Sequence, residues 1–173
     1  MNGAPRSDAL VVFGITGDLA YKKLFPALFS LVRRGRLEVP VIGVAHTPMT
    51  REQLIERARG SISEHGAMDD AAFDRFAALL QYLAGDYREP ATFTRLNEML
   101  GRACRPLHIL AIAPSMFPTV VEHLGAAGGS KAEMNQVFGK DWVLEPVSRY
   151  WLKDDGSANQ PGKPGTTPIT RGF

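Results

Sequence analysis

The chain is poor in cysteine, has almost no surplus charge of either sign, and carries its apolar residues in short runs. One cysteine, Cys104, occurs in 173 residues, which excludes an intramolecular disulfide and any metal cluster built from cysteines. No apolar run approaches the roughly 20 residues that span a bilayer. Met1 to Ser7 is polar and lacks the apolar centre of a signal peptide. A membrane is therefore not expected as a partner, and a cytoplasmic location is the default expectation. The 20 basic and 18 acidic residues leave a formal charge of +2 and are mixed along the chain. The one dense basic stretch, Arg33-Arg34-Gly35-Arg36, follows an apolar helix pattern and reads as a solvated helix end, where cations also suit the dipole. No nucleic-acid partner is expected, and there is no internal repeat.

What the chain does have is the composition of a globular domain, 45% hydrophobic and 22% charged, and an alternation of element types. Leu10 to Phe13 is a buried-strand signal that stops at Gly14. A helical pattern follows from about Asp18 to Arg34, with Leu24, Leu28 and Leu31 on one stripe. Pro26 lies inside it and removes a backbone donor, so an irregular first turn is expected, with regular helix beginning near the proline. Val39 to Val44 reads as a second strand. Thr50 and Gln53 form a capping-box pattern that opens a helix to about Glu64, and another helix runs from about Asp69 to Leu80. Tyr82 to Ala84 is a short strand, Pro90 opens a helix to about Arg102, Leu107 to Ile112 is a strand, and Ser115 to Leu124 is a helix. Strands separated by helices imply crossovers and a parallel sheet covered on both faces. The apolar strands Leu10–Phe13 and Leu107–Ile112 fit such burial. The expected fold class is α/β, a partial doubly wound, Rossmann-like parallel sheet over residues 8–125. Residues 126–152 are an atypical segment, and residues 153–173, rich in Gly, Pro, Ser, Asn and Thr, are expected to be a disordered C-terminal tail.

The segment with the most chemistry lies between the first strand and the first helix: Phe13-Gly14-Ile15-Thr16-Gly17-Asp18-Leu19-Ala20. Gly14, Gly17 and Ala20 form a variant of the glycine fingerprint. The first permits a tight turn, the second the approach of a pyrophosphate, and the third close packing of helix on strand. A helix start adds free N–H groups and the positive end of the dipole. On spacing alone, glycines at such a junction can also be a plain turn.

The run from Gly14 through Tyr21 to Leu28 resembles the opening signature of the glucose-6-phosphate dehydrogenase family. The resemblance continues through Ile42-Gly43-Val44-Ala45, Tyr82-Leu83-Ala84-Gly85-Asp86-Tyr87 and Leu110-Ala111-Ile112-Ala113-Pro114-Ser115-Met116-Phe117, in the family's order. It covers about residues 8 to 125. It implies NADP as cofactor, with Gly14, Ile15, Thr16, Gly17, Asp18, Leu19, Ala20 and Tyr21 at the pyrophosphate. Lys22 and Lys23 are then either near phosphate or solvated. An arginine of the family that meets the adenosine 2′-phosphate is replaced by His46, which is either a weaker anion partner or an ordinary loop histidine. Asp86 and Tyr87 stand where related folds present groups to the adenine, or are a turn aspartate and a core-edge tyrosine. Phe117 stands near the nicotinamide side in relatives, or is core. Ala113 replaces the first of two family prolines, and the peptide before Pro114 is one that tolerates cis.

The family's Glu-Lys-Pro-Phe-Gly signature has only a weak echo at Asn135 to Asp141, with Gln136 in place of the lysine. Nothing matches its Arg-Ile-Asp-His-Tyr-Leu-Gly-Lys motif. Hydride transfer from a sugar needs base, sugar and nicotinamide held together. The expectation is therefore a coenzyme-binding part that is truncated before the catalytic motifs and inactive alone, with no catalytic residue and no metal ligands assigned. Histidines 65, 108 and 123 have no paired carboxylate at a motif spacing, and Cys104 has no basic partner pattern. Two alternatives stay open: a non-catalytic NADP(H)-binding module that self-associates or pairs with a partner through an exposed sheet edge, and a broken reading frame without selected function.

Overall fold

A computed structural model of the chain describes residues 7–66 and 68–127; the expectations for residues 128–173 lie outside them. Four strands form one parallel sheet in the order β3-β2-β1-β4, where β1 is Ala9–Phe13, β2 Val41–Ala45, β3 Leu80–Ala84 and β4 Pro106–Leu110. Leu10 pairs with Val41 on one side and with Leu107 on the other. This order, with helical crossovers, is one half of a doubly wound sheet. Every residue of β1 and β2 is buried, as central parallel strands require.

Helices α1 (Phe25–Arg33), α2 (Arg51–His65) and α3 (Asp70–Leu79) cover one face. Their apolar stripes, Phe25, Leu28, Phe29 and Val32, then Leu54, Ala58 and Ile62, then Ala72, Phe73 and Phe76, meet Leu10, Val12, Val41 and Leu80 in a single core. Phe29, Phe73 and Phe76 form a ring cluster with centroids 6.2–6.4 Å apart, and each buried phenylalanine contributes roughly 1.5–3 kcal/mol. On the opposite face the Phe13 ring stacks on Phe93 of α4 (Pro90–Leu100) at 6.1 Å.

Local rules account for most boundaries. The segment entering α1 is irregular as expected, and its form is a π turn over Ala20–Leu24 in which the Phe25 N–H donates to Ala20 O. Pro26 has no N–H, and its ring would collide with the carbonyl four residues back; the wider turn removes that conflict. α1 ends at Gly35 (φ +63), where the Gly35 and Arg36 amides donate to Val32 O and Leu31 O, the pattern of a Schellman cap. Arg33, Arg34 and Arg36 are exposed around it. The Thr50–Gln53 capping box forms in both directions, at 3.2 and 2.8 Å. Arg51 donates to Leu80 O and Ala77 O at the end of α3, and Leu80 turns extended to open β3 instead of ending the helix.

Two expectations change. Leu31 is 40% exposed, because the buried stripe of α1 runs through Phe25, Leu28, Phe29 and Val32. β4 is not buried throughout: Leu107 is 43% exposed, since β4 ends the described sheet and the helices cover the strands inside it. The described residues contain no cis peptide, so the bond before Pro114 is trans. Contacts divide the chain between Ile112 and Ala113. Of the second unit, the described residues form a 3₁₀ turn at Pro114–Met116 and helix α5, Phe117–Ala127. No described helix is long and apolar enough to cross a membrane.

Candidate functional site: the glycine turn at the strand ends

The chain leaves β1 through Gly14, whose φ is +82°. A Cβ there would lie 2.1 Å from Ala111 O, so glycine is required for both conformation and space. The Gly14 N–H donates to Val44 O at 2.8 Å and to the Tyr87 hydroxyl at 2.9 Å. That hydroxyl in turn donates to Val44 O at 3.1 Å. Burial raises the Tyr87 pKa, against the lowering effect of the Gly14 amide, so the phenol stays protonated and able to donate. Ile15 is fully buried and fills the space a side chain at Gly43 would need, 2.6 Å from its Cγ2. Gly17 is exposed, and its amide closes the turn onto Gly14 O at 3.0 Å.

Beyond Gly17 the chain turns helical. The Asp18 and Leu19 amides, first in the segment, have no intrahelical acceptor. Ala20 is fully buried, while Asp18 and Leu19 are exposed. Asp18 pairs with Lys22 at 3.7 Å on the surface, and Lys23 is exposed. Ser61 of α2 donates to Tyr21 O, which fastens the π turn to that helix.

The turn is also tied to the end of β2. Thr16 Oγ1 and Thr47 Oγ1 lie 3.2 Å apart, and Tyr82 donates to Thr47 O at 2.5 Å. From α2, Arg57 Nη2 donates to Thr16 O at 2.8 Å, and its guanidinium lies 4.9 Å over the Tyr21 ring. The Glu64 carboxylate beside the Tyr21 hydroxyl is the main cause of that phenol's raised pKa. Asp18, Tyr21, Lys22, Arg57, Glu64 and His65 line an open polar cavity of about 410 Å³ beside the turn.

The structure therefore assembles Gly14 through Tyr21 with the ends of β2, β3 and β4. His46 is exposed at the end of β2. Asp86 accepts the Arg88 amide on its side chain and the Glu89 amide on its carbonyl, the geometry of a turn that leads into α4. Tyr87 points its hydroxyl beneath Gly14. Phe117 is buried, on α5. His65 Nδ1 is bonded to Ser61 O. His108 is half-buried against Phe13, ring centroids 6.2 Å apart, with its Nε2 shielded from solvent, and desolvation lowers its pKa to about 4. No group of three metal-ligating side chains exists among the described residues. Sequence reasoning passed over Arg57 and Thr47. Thr47 was signalled by adjacency to His46; Arg57 had no signal, because an arginine in an amphipathic helix reads as solvated.

Chemically the site offers unpartnered amides at the start of a helical segment, next to a residue without a side chain. These groups fit an anion.

The family model described as the NAD binding domain of glucose-6-phosphate dehydrogenase matches residues 11–142. The chain belongs to the glucose-6-phosphate dehydrogenase family. It is 47% identical over 122 residues to glucose-6-phosphate 1-dehydrogenase 1 of Mycobacterium tuberculosis, covering 70% of this chain and 26% of that protein. It is 32% identical over 166 residues to cytoplasmic glucose-6-phosphate 1-dehydrogenase 6 of Arabidopsis thaliana, covering 88% and 31%. The crystal structure of the Mycobacterium avium enzyme superposes with a TM-score of 0.69 at 46% identity, over 72% of this chain and 28% of that one. The chain thus spans between a quarter and a third of the length of these glucose-6-phosphate dehydrogenases.

Proposed function

We propose that the chain binds NADP(H) across the carboxyl ends of β1, β2 and β3, as the coenzyme-binding part of glucose 6-phosphate oxidation. The observation that carries this reading is the Gly14–Gly17 turn, held open by the Tyr87 hydroxyl and followed by free amides. The pyrophosphate would lie on the Asp18 and Leu19 amides over Gly17, while Ile15 and Ala20 pack inward and set the height of the turn. NADP is favoured over NAD because residues 45–50, Ala-His-Thr-Pro-Met-Thr, offer no carboxylate to the ribose 2′-hydroxyl. NADP held there would supply the acceptor for the hydride of the sugar's anomeric carbon, while the hydroxyl proton passes to a base, to give a lactone.

The same reading holds that this 173-residue chain binds coenzyme without turning over sugar phosphate by itself. None of its residues matches the family's histidine-base motif, His65 is engaged with Ser61, and His108 is half-buried and neutral. A cytoplasmic setting accords with the Arabidopsis relative. The test is titration of the purified chain with NADPH and NADH by coenzyme fluorescence, with a parallel assay on glucose 6-phosphate. Saturable binding, tighter for NADPH, without turnover is the expected result. Oxidation of glucose 6-phosphate would overturn the second part of the reading, and absence of binding to either coenzyme the whole of it.

A further inference from the structure

We propose that Arg57, on α2, is the residue of this chain that reads the adenosine 2′-phosphate of NADP(H). This rests on the reading that the glycine turn holds the coenzyme. In doubly wound dinucleotide folds the ribose is met at the end of the second strand. Here that end is Ala45-His46-Thr47. Thr47 touches Thr16 through its hydroxyl, at 3.2 Å, and the carbonyl of the same Thr16 accepts from Arg57 Nη2, at 2.8 Å. The Arg57 guanidinium is therefore placed at the ribose side of the turn by two independent links, the Thr16 bond and the Tyr21 ring 4.9 Å below it.

Its charge is uncommitted. No described carboxylate lies within 4 Å of it. Of the two acids that share its cavity, Asp18 pairs with Lys22 and Glu64 lies beside the Tyr21 hydroxyl. Arg57 Nε is buried with no hydrogen-bond partner among the described residues, and only one of the five guanidinium donors is satisfied. Arg51 is spent on Leu80 O and Ala77 O, Arg59 on the Phe73 ring and Asp70, and Lys22 of the same cavity on Asp18. A planar guanidinium with a free edge, always charged and held by stacking, suits a phosphate better than the exposed imidazole of His46.

The test compares coenzyme affinities of the whole chain and its variants, with thermal melts to establish folding. Arg57→Met is expected to raise the Kd for NADPH by roughly 10- to 100-fold and to leave that for NADH within about twofold, so that the preference collapses. His46→Ala is expected to keep the preference. If Arg57→Met does not fold, Arg57→Lys keeps one donor for Thr16 but loses the fork, and should weaken NADPH alone by severalfold. Equal loss for NADPH and NADH would reduce Arg57 to a brace for the turn and overturn the proposal, as would an unchanged NADPH affinity or a preference abolished by His46→Ala. A wild-type chain that binds neither coenzyme would instead refute the coenzyme reading on which the proposal stands.

Discussion

Replacing Gly14 by alanine separates two costs that usually arrive together. Gly14 has φ +82° and Gly35 has φ +63°, so an alanine at either pays for a left-handed backbone, about 1 kcal/mol. At Gly35 a Cβ meets nothing within 4 Å, and that cost stands alone. At Gly14 the Cβ would sit 2.1 Å from Ala111 O and 2.9 Å from Ile112 Cγ2. An ordinary carbon–oxygen contact is about 3.3 Å or more, so the backbones leaving β1 and β4 must part by roughly 1 Å. Overpacking of this kind costs about 1–3 kcal/mol in side-chain cores, and here the obstacle is main chain, which yields least. The expected losses are about 1 kcal/mol for Gly35→Ala and at least about 3 kcal/mol for Gly14→Ala, a large part of the stability of a domain this size. Thermal melts should place Gly35→Ala about 3–5 °C below the parent and Gly14→Ala at least about 10 °C below it or unfolded. Gly14→Ala melting within about 2 °C of Gly35→Ala would refute the close approach of the two strand ends.

Two further predictions concern buried polar groups. Tyr87→Phe removes the hydroxyl between Gly14 and Val44 but leaves the direct Gly14–Val44 bond of 2.8 Å. It should cost only about 1 kcal/mol in denaturant titrations while weakening NADPH binding several-fold; unchanged binding would show that the hydroxyl does not set the turn. His108 has a folded pKa of about 4 against about 6.5 when unfolded. The unfolded chain therefore takes up the proton first, and stability present above about pH 6.5 declines as the pH falls toward 4, by about 2–3 kcal/mol at most. His108→Phe should remove that part of the decline between pH 6.5 and 4.5, and an identical slope in the two proteins would contradict the burial of a neutral imidazole.

Local signals carried much of the fold. The Thr50–Gln53 pair, the glycine after α1, and the proline that forbids a regular first turn each act within a few residues, where chemistry can be read from neighbours. The π form of that turn was not readable, because Pro26 rules out a regular turn without specifying which irregular one replaces it, and the Ser61 bond that fastens it to α2 comes from 40 residues away. Leu31 and Leu107 misled for a related reason: their exposure depends on where covering helices run, which periodicity alone does not report. The candidate site divides in the same way. Its glycines were evident from spacing, since turn and helix start are contiguous. The group that steadies Gly14 lies 73 residues away at Tyr87, and the cation beside Thr16 is 41 residues away at Arg57.

The central claim is that the amides after Gly14 hold the coenzyme's pyrophosphate. It is tested most directly by following the backbone amide resonances of the whole chain during titration with NADPH. The account predicts saturable shifts concentrated at Gly17, Asp18 and Leu19, with smaller ones at Thr47 and Tyr87. Saturable shifts confined to residues away from the strand ends, or no shifts at coenzyme concentrations in the millimolar range, would contradict it.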